Sequence, residues 1–375
     1  MSEADLLGPA YPISVAPRQR RRRRDKVRRH GEDILSVVPP VPFSSDIGRT
    51  PLVALDISVL GRERRVLLKL EGRNPGGSIK ARTAYSLVRS VEVTGRLRPG
   101  GTIVESTSGN LGLAMASLAR ERGYGFIAVV DPNASPLAVA TLQQLGARVE
   151  HVSERDDAGG YLLTRLSRVG KLLERRPELV WTDQYRNPAN PRVHFEQTGP
   201  EILRATGGSL SAVFVAASTG GTLAGIGRYL KAVAPEVTVV GVDVPGSRVF
   251  QPVATTRLLN GIGSGQQSHF LRPSHYDGFR LVDEHRAIAT CHALSVQVGM
   301  SLGGSSGAVL TACLDHLART GETGPVVCLC PDDGTNYQET IYSADWLERH
   351  HVVPGPFDHR VRLARPDMNG PNNDR

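Results

Sequence analysis

The feature that most constrains this chain is a regular alternation of two apolar patterns between about residues 44 and 350. Short apolar runs at Val66–Leu70, Thr102–Glu105, Tyr124–Val130, Arg148–Val152, Leu179–Thr182, Ala212–Ala217, Val237–Val242 and Pro325–Cys330 read as buried parallel strands. Helical periodicity fills the intervals at Ile79–Thr94, Gly109–Arg122, Pro136–Leu145, Tyr161–Glu174, Pro191–Ala205, Thr222–Val233 and His285–Val298. Short strands alternating with longer helices predict an α/β fold built on parallel sheets. At 375 residues the chain is long enough for two domains.

The charge of the chain is not spread evenly. The net charge is +8, and residues 18–29 carry eight Arg and one Lys against one Asp, so this run accounts for all of it. The folded body is therefore neutral, and the basic run reads as a solvated, disordered extension. No zinc-finger spacing and no aromatic-basic platform point to nucleic acid. No apolar stretch is long enough to span a bilayer and no secretory signal is visible, so a cytoplasmic protein is expected. The cysteines Cys291, Cys313, Cys328 and Cys330 are few, and Cys328 and Cys330 lie in an apolar strand pattern. They read as buried thiols rather than a metal pair, and no metal is expected.

Polar clusters fall where strand patterns give way to helices, the places where open α/β sheets bind ligands. Lys80 stands just after the turn-forming Asn74-Pro75-Gly76-Gly77, in a chain with five lysines and forty arginines. A lysine amine can lose its proton and form a Schiff base, and a guanidinium cannot. Ser106-Thr107-Ser108-Gly109-Asn110 follows an apolar run and opens a helix; its N–H groups and hydroxyls could hold a carboxylate, or it is a polar helix cap. Ser218-Thr219-Gly220-Gly221-Thr222 has the same setting and could cradle a phosphate, or form a tight turn against the sheet. Gly303-Gly304-Ser305-Ser306-Gly307 precedes a helix of small residues.

Taken together and in order, these segments resemble the pyridoxal-phosphate enzymes of the cysteine synthase/cystathionine β-synthase family, of fold type II. Asn74-Pro75 with Ser78-Ile79-Lys80 is similar to that family's Schiff-base lysine motif, and Thr107–Asn110 to its substrate loop. Ser218–Thr222 is similar to its phosphate cup, with Ser218 where glycine is usual; Gly261-Ile262-Gly263 is similar to its active-site loop. Ser305 matches a serine that faces the pyridine nitrogen. Ala81 and Leu111 depart from the usual pattern. Asp131-Pro132, Gly159–Arg165 and Gln184-Tyr185 look more like the N-(2-amino-2-carboxyethyl)-L-glutamate synthase branch, which makes 2,3-diaminopropionate precursors for siderophores and peptide antibiotics.

The resemblance implies two three-layer α/β/α domains, as in the tryptophan synthase β-subunit. Residues 74–187 would form a small moving domain carrying the lysine, and 44–73 with 188–350 a large cofactor-binding domain. Residues 1–43 would be an extension and 351–375 a tail. It implies pyridoxal 5'-phosphate held by Lys80, Asn110, Ser218–Thr222 and Ser305. Substrate would meet Ser106–Asn110, Arg165, Tyr185, Ser218 and Gly261. The implied reaction replaces the β-substituent of an activated serine, joining O-phosphoserine to glutamate, in a homodimer that needs no membrane or nucleic acid. A cysteine synthase using sulfide, a serine or threonine dehydratase, and a non-catalytic paralogue with a basic binding tail are the alternatives.

Overall fold

The computed structural model describes residues 42–156, 159–354 and 361–363. Strands run in chain order as β1 (Leu52–Val59), β2 (Arg62–Leu70), β3 (Thr102–Ser106), β4 (Gly125–Val130), β5 (Arg148–His151), β6 (Val180–Trp181), β7 (Ala212–Ala216), β8 (Thr238–Asp243), β9 (Gly278–Leu281), β10 (Val326–Cys330) and β11 (Val361–Leu363). Helices are α1 (Lys80–Val93), α2 (Asn110–Arg122), α3 (Pro136–Gln144), α4 (Leu162–Arg175), α5 (Ala189–Val193), α6 (Gly199–Ala205), α7 (Gly221–Val233), α8 (Glu284–Val298), α9 (Gly304–Thr320) and α10 (Ala344–Arg349).

The strands form two sheets, in the orders β5-β4-β3-β6 and β11-β1-β2-β10-β7-β8-β9. The first is parallel throughout. The second is parallel from β2 to β9, with β1 antiparallel to β2 and to β11. Both sheets are covered on two faces. Along β10, Val326, Cys328 and Cys330 enter one core while Val327 and Leu329 enter another. Along β4, Phe126, Ala128 and Val130 face one core and Ile127 and Val129 the other. Successive strand residues point to opposite faces, so a strand apolar at every position needs a layer on each side. Each sheet is thus the middle of an α/β/α sandwich, as expected.

The structure departs from the sequence expectations in several places. The expected strands leave out β1 and β9, whose short apolar patterns are each interrupted by a charged residue, Asp56 and Arg280. β5 is an exposed edge strand rather than a buried one, since only β4 pairs with it. The helix expected over 191–205 is broken by a π-turn at His194–Thr198, between α5 and α6. Pro200 has no N–H for the helical ladder, and the His194 ring meets Thr198 Oγ1 at 3.0 Å.

The stretch read as a tail also contributes structure: Val352 is buried and β11 pairs with β1. The basic run 18–29 lies outside the described residues. All four cysteines are buried and free. No helix of the described residues is long and apolar enough to cross a membrane.

Candidate active site

The carboxyl ends of both sheets open onto one cavity of about 300 Å³. Lys80 lies in its wall as the first residue of α1. The preceding turn requires Gly76 and Gly77 at positive φ, 74° each, where a Cβ would be strained. Buried Asn74 ties that turn down. Its Nδ2 donates to Glu71 O and Oε2 at 2.8 Å each, and its Oδ1 accepts from Gly48 N at 2.9 Å. Ile79 N donates to Pro331 O at 2.7 Å, and Ser78 bridges Asp332, so the lysine segment is stitched to the end of β10. Burial lowers the proton affinity of the Lys80 amine, and the charge of Asp332 partly opposes this. The neutral amine that Schiff-base chemistry needs is favoured.

Ser106 to Asn110 also line the cavity, on the turn from β3 into α2. Ser106 Oγ is buried with no hydrogen-bond partner among the described residues. Glu105 holds this turn from behind. It accepts from Thr182 Oγ1 (2.6 Å), Trp181 Nε1 (3.2 Å), Ser106 N (2.9 Å) and Gln184 N (3.2 Å). Burial pushes its carboxyl up to about 7 against those donors. Asn110 faces the other way, donating to Asp332 Oδ2 at 2.7 Å and accepting from Asn336 Nδ2 at 2.8 Å.

The remaining expected residues divide. Ser218 and Thr219 line the cavity, whereas Gly220, Gly221 and Thr222 are not in its wall. The Ser218 hydroxyl donates to Gly263 O at 3.0 Å, joining that turn to the Gly261–Gly263 loop, which does line the cavity. The N-terminus of α7 carries no side-chain cap, as suits an anion seat. Thr222 Oγ1 lies 3.3 Å from Nε2 of His194, a ring that burial keeps neutral. Ser305 is buried outside the wall and donates to Asp332 Oδ1 at 3.5 Å, so Asp332 rather than Ser305 faces the cavity. Tyr185 and Arg165 both reach the wall. Arg165 is no free surface cation: its Nε lies 3.2 Å from Asp131 Oδ2, and its Nη1 donates to Ser108 Oγ at 2.6 Å.

Asp332, Asn336 and Arg257 line the cavity and Glu105 supports it from behind, and none of the four is among the expected site residues. Asp332 had a usable signal, since it follows the apolar strand β10 at its carboxyl end. It collects Asn110, Ser305 and the Tyr337 hydroxyl (2.5 Å), and burial pushes its carboxyl up to about 6. For Asn336 and Glu105 the deciding partners lie far along the chain, Asn110 for the first and Trp181, Thr182 and Gln184 for the second.

These groups fit pyridoxal phosphate: an amine of lowered proton affinity and the turn carrying an unpartnered buried hydroxyl line one cavity, and the Ser218–Thr219 turn in its wall leads into an uncapped helix start. The comparisons agree. A family model described as "Pyridoxal-phosphate dependent enzyme" matches residues 43–332. N-(2-amino-2-carboxyethyl)-L-glutamate synthase of Ralstonia nicotianae is 39% identical over 326 residues, 87% of this chain and 96% of that protein. The same-named synthase of Cupriavidus metallidurans is 37% identical over 307 residues, 81% and 90% of the two chains. The crystal structure of an O-ureido-L-serine synthase superposes with a TM-score of 0.73 at 31% identity, covering 82% of this chain and 98% of that one. On the extent of these matches and the chemistry of the cavity, the chain belongs to the family of pyridoxal-phosphate dependent enzymes.

Proposed function

We propose that this enzyme joins O-phospho-L-serine to L-glutamate, forming N-(2-amino-2-carboxyethyl)-L-glutamate and phosphate. The product is a precursor of 2,3-diaminopropionate for a siderophore or peptide natural product. The observation that carries this reading is the composition of one wall-lined space: the Lys80 amine, the donor-rich turn Ser106–Asn110, and two arginines, Arg165 and Arg257. Anionic amino acids suit such a lining. The names of the two relatives support the choice of product.

In this reading Lys80, Asn110, the Ser218–Thr222 turn and Ser305 hold the cofactor. Pyridoxal phosphate, when bound, supplies an electron sink for the pair left behind when the α-proton departs. Ser106–Asn110 hold the carboxylate of the first amino acid, and Gly261 closes the space beside it. The Lys80 amine removes the α-proton. The bond from Cβ to the phosphate oxygen breaks with its electron pair, and Arg165 faces the released phosphate. The glutamate nitrogen then forms the new bond at Cβ, and Lys80 returns a proton to Cα. Tyr185 and Ser218 narrow the cleft against other nucleophiles. The segment 74–187 moves as a small domain against the rest of a homodimeric cytoplasmic enzyme.

The test is product analysis by mass spectrometry on holoenzyme given O-phosphoserine with glutamate or with sulfide. Glutamate-dependent release of phosphate with the expected adduct supports the proposal. Turnover with sulfide and none with glutamate would replace it with cysteine synthesis.

A further inference from the structure

Among the described residues three cations line the cavity: Lys80, Arg165 and Arg257. Lys80 is the proton carrier, and Arg165 is already matched by Asp131. Arg257 is differently placed. Its Nη1 donates to Gly246 O at 2.8 Å, which is a neutral partner. Its stem packs on the Gly261–Gly263 loop, where a Cβ on Gly263 would lie 3.0 Å from Arg257 Nε. Among the described residues no carboxylate stands at ion-pair distance from its guanidinium.

Asp243 and Glu284 act on Arg257 only from farther off. Asp243 Oδ1 is taken by Val244 N and its buried Oδ2 has no hydrogen-bond partner among the described residues, so it does not reach Arg257 either; both Glu284 oxygens accept from the Leu258 and Leu259 N–H groups. Burial works against the charge on Arg257. A half-buried guanidinium without a carboxylate is poorly compensated, and its fork geometry matches a carboxylate in two parallel hydrogen bonds. Sulfide would have no use for it.

We propose that Arg257 binds a carboxylate of the incoming second substrate, a dicarboxylic amino acid, and so selects the nucleophile. This deepens the functional reading above and rests on it. Arg165 and Arg257 then divide the work. The first stands beside the substrate turn with its own counter-ion, and the second meets the nucleophile on the wall built by residues 257–265.

The experiment compares wild type, Arg257→Gln and Arg257→Lys holoenzymes in two assays. The first is steady-state kinetics, varying O-phosphoserine and glutamate separately. The second is calorimetric titration with glutamate alone. Loss of one charge-assisted contact is expected to raise KM for glutamate about tenfold to a hundredfold in Arg257→Gln, with KM for O-phosphoserine within about twofold. Arg257→Lys should fall between, and glutamine should gain on glutamate in Arg257→Gln. An unchanged KM for glutamate, or an increase confined to O-phosphoserine, overturns the inference while leaving the functional reading in place. Glutamate binding by wild type that is lost in Arg257→Gln, without any adduct forming, sinks the functional reading and keeps the assignment of Arg257. A wild type that neither binds glutamate alone nor consumes it with O-phosphoserine overturns both.

Discussion

Two residues apart on α1, Lys80 and Arg82 face opposite worlds. Arg82 is fully buried behind the helix, yet every part of its guanidinium is occupied. It donates to Glu71 Oε1 and Oε2 (2.9 and 2.7 Å) and to Glu201 Oε1 and Oε2 (2.8 and 2.7 Å). Lys69 adds a second cation at 2.7 Å from Glu201, and Thr50 and Asn74 donate to Glu71 at 2.6 and 2.8 Å. Burial works against the charge on Arg82, but the two carboxylates overcompensate and raise its proton affinity. Burial likewise opposes the charge of Glu201, but the Arg82 hydrogen bonds and charge bring its carboxyl down to about 2. In front of the helix, among the described residues, Ser106 Oγ has no partner, Arg257 has a neutral one, and the Lys80 amine is offset only in part by the charge of Asp332. A saturated buried network holds the start of α1 still, and the unsaturated groups across the helix are what a ligand can complete.

The sharpest way to break this comparison is to remove each side in turn. Lys80→Ala is expected to reduce adduct formation by roughly a thousandfold or more, with the urea midpoint unchanged or higher. A variant that keeps its activity would move the chemistry elsewhere. Arg82→Leu should do the reverse and destabilise by about 3–5 kcal/mol in urea unfolding, because Glu71 and Glu201 are left with Lys69 as their one cation among the described residues and with the Arg82 hydrogen bonds unmade. A stable Arg82→Leu protein would show that the network is ornamental.

Glu105 lies between the two extremes, buried under four donors but without a cation. Its folded pKa of about 7 is above its ordinary value of 4.5, so the folded state binds the proton more tightly than the unfolded chain. Its contribution is then fully present below about pH 4.5 and is lost as pH rises toward 7, by on the order of 3 kcal/mol. Urea titrations at several pH values, with Glu105→Gln as reference, should show that slope in wild type and its absence in the variant. The smallest effect is expected at Asp332, which orients the Asn110 amide together with Asn336. Asp332→Asn should weaken cofactor binding about tenfold by titration of the visible absorption band. An unaltered affinity would remove Asp332 from the site.

The local patterns carried much of the molecule. Helix α1 was read to within a residue at each end, and β3, β7 and β10 to within one. Strand β1 is hard to read because Asp56 interrupts its apolar run, and the π-turn at His194 is hard to read because Pro200 and Gly199 look like ordinary interruptions. Among the candidate residues, Lys80, Ser106–Asn110, Arg165, Tyr185, Ser218, Thr219 and Gly261 meet in one cavity. Ser305 and Gly220–Thr222 stand outside its wall; the Ser305 and Thr222 hydroxyls meet Asp332 and His194 instead.

What the amino-acid order by itself determined is the succession of strands and helices and the polar turns between them, because both follow from periodicity and from the backbone demands of neighbouring residues. Which charges are matched is a different kind of fact. Asn110 meets Asp332 across 222 positions, Arg82 meets Glu201 across 119, and Arg165 finds Asp131 from another element. No local rule pairs them. The packing of the two sheets decided that Arg82 and Arg165 would be neutralised and that Lys80 and Arg257 would face the cavity. That decision is electrostatic, set by the distance between groups that only the folded chain brings together.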